Sequence, residues 1–154
     1  MKQRMSLIIR FFLAVVAFIG IDQTTKWAAR EILATRQLTA GPIGLVLTMN
    51  TGIAFGLFSG RSWVVPVNTI LGLAVAIAGV TAWDRGERGV ARGLLLMFSG
   101  FAGNFVDRLV FGRVTDFLWV RGWSVFNVAD CLVTAGAILC GLALAFPKRW
   151  GFHA

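Results

Sequence analysis

Apolar residues fall into four long runs separated by short polar stretches. The first covers roughly residues 7–20 and runs into the polar cluster Asp22, Gln23, Thr24, Thr25 and Lys26. The second extends from Trp63 to Trp83, the third from Val90 to about Val106, and the fourth from Val125 to Phe146. Each is close to the ~20 residues that a helix needs to cross the hydrocarbon core of a bilayer. The pattern therefore predicts an all-α membrane protein. Four transmembrane helices are expected at about residues 7–27, 63–83, 90–107 and 125–146 of a single domain, 1–154. Local signals agree. Tryptophans bracket the second run, as at a bilayer interface. Pro66 falls in its first turn or two, where a missing N–H is tolerated. Pro147 closes the fourth run, and glycines thread the third and fourth, as close helix packing in lipid requires.

The longer connections occupy residues 28–62 and 108–124. Residues 39–60 mix Gly and Pro with short β-favouring stretches such as 44–48, which predicts a small extended β-platform on the outer bilayer face. RLVFGRVTDFLWVRGWSVF, from Arg108 onward, is amphipathic and aromatic and predicts an interfacial loop. With four spans, both termini share a side with the connection 84–92, and these pieces carry Lys2, Arg4, Arg10, Arg85, Arg88, Arg92, Lys148 and Arg149. That density of basic residues predicts cytoplasmic termini and an outer face for the two long loops. Met1–Gly20 also resembles a cleavable signal peptide. No small-x-small cleavage site precedes the polar cluster, however, and removal would leave an odd number of spans.

Composition narrows the class. The chain is 57% apolar and 14% charged, with mean hydropathy +0.76, whereas soluble domains carry about 25% charged residues. The net charge of +8 would suit a nucleic-acid partner. The Lys and Arg residues are scattered between apolar runs instead of gathered on one face, so they read as membrane-flanking charge, and no nucleic acid is expected. Cys131 and Cys140 share one apolar run without a CxxC spacing. His153, the single histidine, lies near the end, which leaves no HExxH zinc motif and no base for a Ser-His-Asp triad. Neither a metal nor another cofactor is expected.

The acidic residues carry the chemistry. Of the seven, Asp22, Asp107, Asp116 and Asp130 lie at the outer ends of apolar runs. Carboxylates near a bilayer are expensive and usually have a task. Asn104 and Asp107 are spaced to share a helix face, and Asn127 and Asp130 repeat that spacing at the start of the fourth run. The third and fourth helices are thus expected to bring two Asn/Asp pairs to one depth, with Asp116 delivered by the loop between them. Arg108 is suited to hold that loop through a carboxylate or backbone carbonyls. A plainer alternative has these acids cap helices or pair with Lys26, Arg108 and Arg113. For Asp22 and Asp107 the two accounts stand level. For Asp116 and Asp130, nearby basic residues do not readily explain both.

Two carboxylates within a few Å share a proton and titrate as a unit. One takes a proton from water, which attacks an amide carbonyl, while the other, protonated, hydrogen-bonds that carbonyl. Asn104 and Asn127 are suited to orient substrate or carboxylates. A transporter also places carboxylates between helices, but it would spread polar residues along a helix, whereas here they crowd one end. A membrane assembly factor needs no such pair of acids, and the GxGD motif of another intramembrane protease class is absent.

DQTTK (Asp22–Lys26), NTGIAFG (Asn50–Gly56), GNFVDR (Gly103–Arg108), GRVTDF (Gly112–Phe117) and FNVAD (Phe126–Asp130) stand in this order. They resemble the motif set of the lipoprotein signal peptidases, or signal peptidase II, over about residues 20–135. The resemblance implies an aspartyl endopeptidase of the bacterial inner membrane that cuts the signal peptide from diacylglyceryl-modified prolipoproteins. It implies Asp116 and Asp130 as the catalytic pair. It puts Asn50, Gly52, Asn104, Arg108 and Asn127 in substrate binding or site support, and Asp22, Asp107 and Lys26 in supporting positions. The platform around Asn50–Gly56 would correspond to the family's extracytoplasmic β-cradle. Lys26 and the loop arginines are expected to meet lipid phosphates. The partners implied are the lipidated substrate and membrane lipid, with the enzyme monomeric.

Overall fold

Polarity is distributed inside out relative to a water-soluble domain. In the computed structural model, which describes residues 2–52 and 63–146, Phe12, Leu13, Ile70, Leu73, Ile77 and Leu144 are exposed, while Asp22, Lys26, Asn104, Asp107, Asp116 and Asn127 are buried. Such a surface is stable only against hydrocarbon, where exposed apolar groups cost nothing and polar groups must find partners inside the protein.

The elements run α1 (Lys2–Ile32), β1 (Leu38–Ala40), β2 (Ile43–Asn50), α2 (Val64–Asp84), α3 (Arg88–Phe111), β3 (Val114–Val120) and α4 (Val128–Ala145). The protein is mostly helical with a small three-stranded sheet. Three helical stretches, Val65–Asp84, Arg88–Phe111 and Val128–Ala145, are long and apolar enough to cross a membrane. Helix α1 overruns the span expected at 7–27 at both ends. Residues 53–62, within the expected platform and outer loop, lie outside the described residues, as do Pro147, Lys148, Arg149 and His153.

Helix α3 is central, packing on α1, α2 and α4. Its contact with α4 is closest where glycines face the partner. A Cβ added at Gly93 would meet Gly136 O at 2.7 Å, and one added at Gly100 would run into Ala129 O. No side chain fits between backbones at that separation, so glycine sets the interhelical distance. At the far end Ala82, Val90, Ala91 and Ala143 pack together with Trp83, Leu94 and Cys140 around them.

The interfacial loop expected over 108–124 is not a loop. Helix α3 continues through Arg108 to Phe111, Gly112 ends it at φ 68°, and the chain then becomes β3. The left-handed conformation at Gly112 is one that residues with a Cβ rarely adopt. Strand β3 pairs antiparallel with β2, with Thr48 opposite Asp116 and Asn50 opposite Val114, and β2 pairs antiparallel with β1. The physical reason is backbone satisfaction. Val114–Phe117 is buried, and buried N–H and C=O groups need a ladder that a loop on the bilayer surface would not provide. Ala29 of α1, Leu33 just beyond its end, Phe117, and the half-buried Leu47, Leu118 and Val128 form the apolar seal between helix and sheet.

Candidate functional site

The site is built where the helical and β parts meet. Helix α4 begins with a capping box. Asn127 has extended backbone (φ −136°), its Oδ1 accepts from Asp130 N at 3.0 Å, and Asp130 Oδ2 accepts from Asn127 N at 3.2 Å. The arrangement satisfies helix-start donors and fixes both side chains. Asn127 Nδ2 is thereby turned into the interior, where it donates to Asp116 Oδ1 at 2.6 Å and lies 3.1 Å from Asn104 Oδ1.

Two further asparagines follow the same logic. Asn104 Oδ1 accepts from Lys26 Nζ at 2.9 Å, so its Nδ2 points the other way, to Asp130 Oδ1 at 2.8 Å. Asn50 Oδ1 accepts from Gly52 N at 2.8 Å, so its Nδ2 points to Asp116 Oδ2 at 3.0 Å. In each amide a donor fixes the oxygen, which turns the nitrogen toward a carboxylate. Asp116 and Asp130 therefore each accept two N–H groups, and each of their four oxygens is oriented.

Electrostatics separates Asp116 from an ordinary carboxylate. Burial pushes its carboxyl up to about 6; the Asn50 amide opposes this, the charge of Asp130 adds to it, and the Asn127 amide opposes it. Asp130, on the first turn of α4, is only partly buried. The two carboxylates feel each other and differ in access, as an acid/base pair requires.

Around this centre lies an ionic frame. Lys26, fully buried, pairs with Asp22 Oδ2 at 2.8 Å and stands 3.7 Å from Asp107 Oδ2. Asp22 Oδ1 accepts from Ala129 N, in the first turn of α4, at 2.9 Å. Asp107 Oδ2 accepts from Thr115 N of β3 at 2.7 Å. One acid thus ties down α4 and the other β3, with a shared cation balancing their charge. Lys26 does not meet lipid phosphates, contrary to the expectation from sequence. Its ammonium is 0% exposed, because α1 packs Asp22 and Lys26 against α3 and α4, where the absence of a side chain at Gly103 leaves room for the carboxylate. Pairing with Lys26, the plainer account of Asp22 and Asp107, is what the structure contains.

Arg108 uses backbone carbonyls: Nη2 donates to Gly52 O at 2.8 Å, which holds the end of the β2 segment against α3. Asn104 and Asp107 do share a helix face, but Asp107 serves β3 and Asn104 serves Asp130. Arg30 and Thr115 escaped the sequence reading. Arg30 Nη1 donates to Thr115 Oγ1 at 2.7 Å, and its guanidinium stacks over Phe111 at 4.5 Å. The signal was present: residues 22, 26 and 30 form one helix stripe.

The chain is similar to known proteins in sequence and in fold. A relative from Solibacter usitatus, called lipoprotein signal peptidase, is 36% identical over 142 residues, covering 84% of this chain and 87% of that protein. One of the same name from Ralstonia nicotianae is 40% identical over 134 residues, covering 80% and 77%. A bacterial membrane enzyme solved by the in meso method superposes with TM-score 0.72 at 27% identity, covering 92% of this chain and 89% of that one. A second such structure gives 0.69 at 28% identity, covering 89% and 93%. The family described as Signal peptidase (SPase) II matches residues 14–146, and the chain belongs to that family.

Proposed function

We propose that this chain is an aspartyl endopeptidase of the bacterial cytoplasmic membrane. It removes the signal peptide from diacylglyceryl-modified prolipoproteins, cutting on the N-terminal side of the lipidated cysteine. Membership of the signal peptidase II family supports the substrate class. The aspartyl chemistry rests on one observation above all: three oriented asparagine amides converge on Asp116 and Asp130.

In this reading Asp116, the more buried acid, carries the shared proton at rest, and Asp130 is the base. Water between them gives a proton to Asp130 as its oxygen attacks the scissile carbonyl carbon. Asp116 passes its proton to the carbonyl oxygen, which forms a diol intermediate. On collapse, Asp130 gives its proton to the leaving nitrogen, the C–N bond breaks, and a diol hydroxyl returns a proton to Asp116. The acids finish as they began. Asn50, Asn104 and Asn127 hold both carboxylates in place, so little reorganisation is needed during the reaction. Arg108 and Gly52 keep the β2 segment over the site, and Asp22, Asp107 and Lys26 support it from behind.

Helix α1 supplies the fourth span: its 31 residues reach about 46 Å at 1.5 Å per residue. The basic residues at both termini and around Arg85–Arg92 favour a cytoplasmic location for those parts. The sheet and the carboxylates then lie at the outer face. A lipidated substrate arrives there laterally through the bilayer, its acyl chains against the exposed apolar sides of the helices, and no second subunit is needed.

The test is cleavage of a purified diacylglyceryl-modified prolipoprotein. Asp116→Asn and Asp130→Asn should each lower the rate by ~100-fold or more, while the protein still accumulates in the membrane. Normal turnover by either variant would remove that residue from the catalytic pair.

A further inference from the structure

Asp22, Lys26 and Arg30 stand one per turn along α1, on the face turned to the site. Asp22 holds the start of α4 through Ala129 N, and Lys26 holds the Asn104 amide that serves Asp130. Arg30, in the last turn of the helix, reaches β3. Its Nη1 donates to Thr115 Oγ1 at 2.7 Å, and its guanidinium lies over the Phe111 ring. The helix dipole alone favours a basic residue in this turn, and such residues are ordinarily solvated. Arg30 is mostly covered, with 21% of its side chain exposed.

Thr115 immediately precedes Asp116, and each of its polar groups is held. Its hydroxyl takes the Arg30 hydrogen bond, its N–H donates to Asp107 Oδ2 at 2.7 Å, and its carbonyl lies 3.3 Å from Asn127 Nδ2. Successive side chains of a strand point to opposite faces. Asp116 shares one face of the sheet with Asn50, which bonds it, while Thr115 and Phe117 share the other with Met49, the residue opposite Thr115. Phe117 packs on Ala29 of α1. Helix α1 thus grips β3 on both sides of Asp116, through a polar contact at 115 and an apolar one at 117. Two such anchors fix the rotation of the strand about its own axis. That rotation decides where the Asp116 carboxylate points.

An apolar side chain at 115 would serve if packing were the whole purpose. A buried hydroxyl met by a guanidinium adds direction, because hydrogen bonds from a charged donor are short and oriented. The guanidinium also supplies charge. Asp107 Oδ1 is buried and receives no hydrogen bond from the described residues, and Arg30 Nη1 stands 4.0 Å from it. Together with Lys26, Arg30 sets two cations against Asp22 and Asp107.

We propose that Arg30 is a positioning residue, which aims the Asp116 carboxylate at Asn50 and Asn127 by clamping Thr115 from behind the strand. Lys26 orients Asp130 through Asn104, and Arg30 orients Asp116 through Thr115, so one stripe of α1 sets both carboxylates. Arg30 itself contacts no substrate. The inference rests on the catalytic role proposed above for Asp116.

Thr115→Val, Arg30→Met and Arg30→Lys test this in the full-length protein with the diacylglyceryl-modified prolipoprotein as substrate. Thr115→Val removes the hydroxyl at nearly constant shape and leaves every charge in place. Rates are taken per folded enzyme, well below the melting temperature of each variant. Thr115→Val and Arg30→Met should each lower kcat about ten-fold through a misplaced carboxylate, with KM nearly unchanged. The double variant should be no slower than the slower single one, since both changes break one contact. Arg30→Lys, which can still donate to the hydroxyl, should recover part of kcat. The pH profile supplies a readout that lost stability alone would not move. The Asn50 and Asn127 amides hold the Asp116 carboxyl down, so a carboxylate turned away from them should move the alkaline limb of kcat/KM to higher pH. The charged groups that face Asp116, which are Asp130 of α4, Lys26 of α1 and Arg108 of α3, are intact in all these variants. An unchanged kcat in Thr115→Val overturns the proposal, as does a limb that stays in place or a rise in KM at constant kcat. Should Arg30→Met fail to accumulate, Thr115→Val and Arg30→Lys carry the comparison. Failure of the underlying function looks different, because Asp116→Asn would then process the substrate normally. Failure of this inference alone leaves Asp116→Asn inactive and Thr115→Val as fast as the wild-type protein.

Discussion

Lys26 Nζ donates to Asn104 Oδ1 at 2.9 Å, in a place where the lysine is wholly buried and the asparagine nearly so. The contact decides which way the Asn104 amide faces, and so whether Asp130 meets a donor or an acceptor. A cation that never contacts the substrate thus orients the carboxylate proposed as the base.

Replacing the lysine tests this frame. Lys26→Met leaves Asp22 and Asp107 as buried anions without their shared cation. Removing one partner of a buried ion pair costs about 3–5 kcal/mol, which thermal unfolding of the purified protein would record. Lys26→Met combined with Asp22→Asn should recover part of that loss, since one unpaired charge is gone. Processing should not recover, because the Asn104 amide has lost its orienting donor. A double variant no more stable than the single one would show that charge pairing is not what holds this region.

The Asp116 carboxyl, raised by burial to about 6, makes a signed prediction about pH. A raised carboxyl pKa means that the fold favours the neutral acid. Its contribution to stability is complete below the ordinary value of 3.8 and is lost as pH rises through about 6. For catalysis, kcat/KM should fall on the alkaline side as the pair loses its shared proton. Asn50 donates to the anion and holds the value down. Asn50→Ala should therefore shift the alkaline limb of kcat/KM to higher pH, while lowering the maximum rate. A limb that stays in place or moves to lower pH would refute the coupling between Asn50 and Asp116.

Packing between α3 and α4 gives a third test. At Gly100 an added Cβ would run into Ala129 O and stand 2.7 Å from Val133 Cγ2. Gly100→Ala should destabilise by about 1–3 kcal/mol through overpacking. Gly20 of α1 has nothing within 4 Å, so Gly20→Ala should be neutral or stabilising by up to ~1 kcal/mol. Thermal unfolding of the two variants side by side checks the contrast.

How much of this was legible in the sequence differs by element. The apolar runs that became α2, α3 and α4 were plain, because length and hydropathy are local properties. The convergence of Asn104, Asn127 and Asp130 followed from spacing on two helices that are neighbours in sequence. Strand β3 was not legible. Its ladder partner β2 lies beyond two intervening helices, and GRVTDFLWV without that partner reads as an amphipathic interfacial stretch. The burial of Lys26 was hidden for a related reason. A lysine after an apolar run reads as a headgroup contact until α4 closes over it and presents Ala129 N to Asp22.

The capping box at Asn127 and Asp130 also bears on timing during synthesis. Both residues enter with α4, after every other element, and β3 with Asp116 precedes them by only a short turn. A nascent chain made through β3 carries one carboxylate of the proposed pair and none of the geometry that pairs it. The docking of α4 is the step that both finishes the bundle and completes the proposed catalytic centre. Until that docking the proposed centre is incomplete, because Asp130 has not yet met the Asn104 amide that orients it.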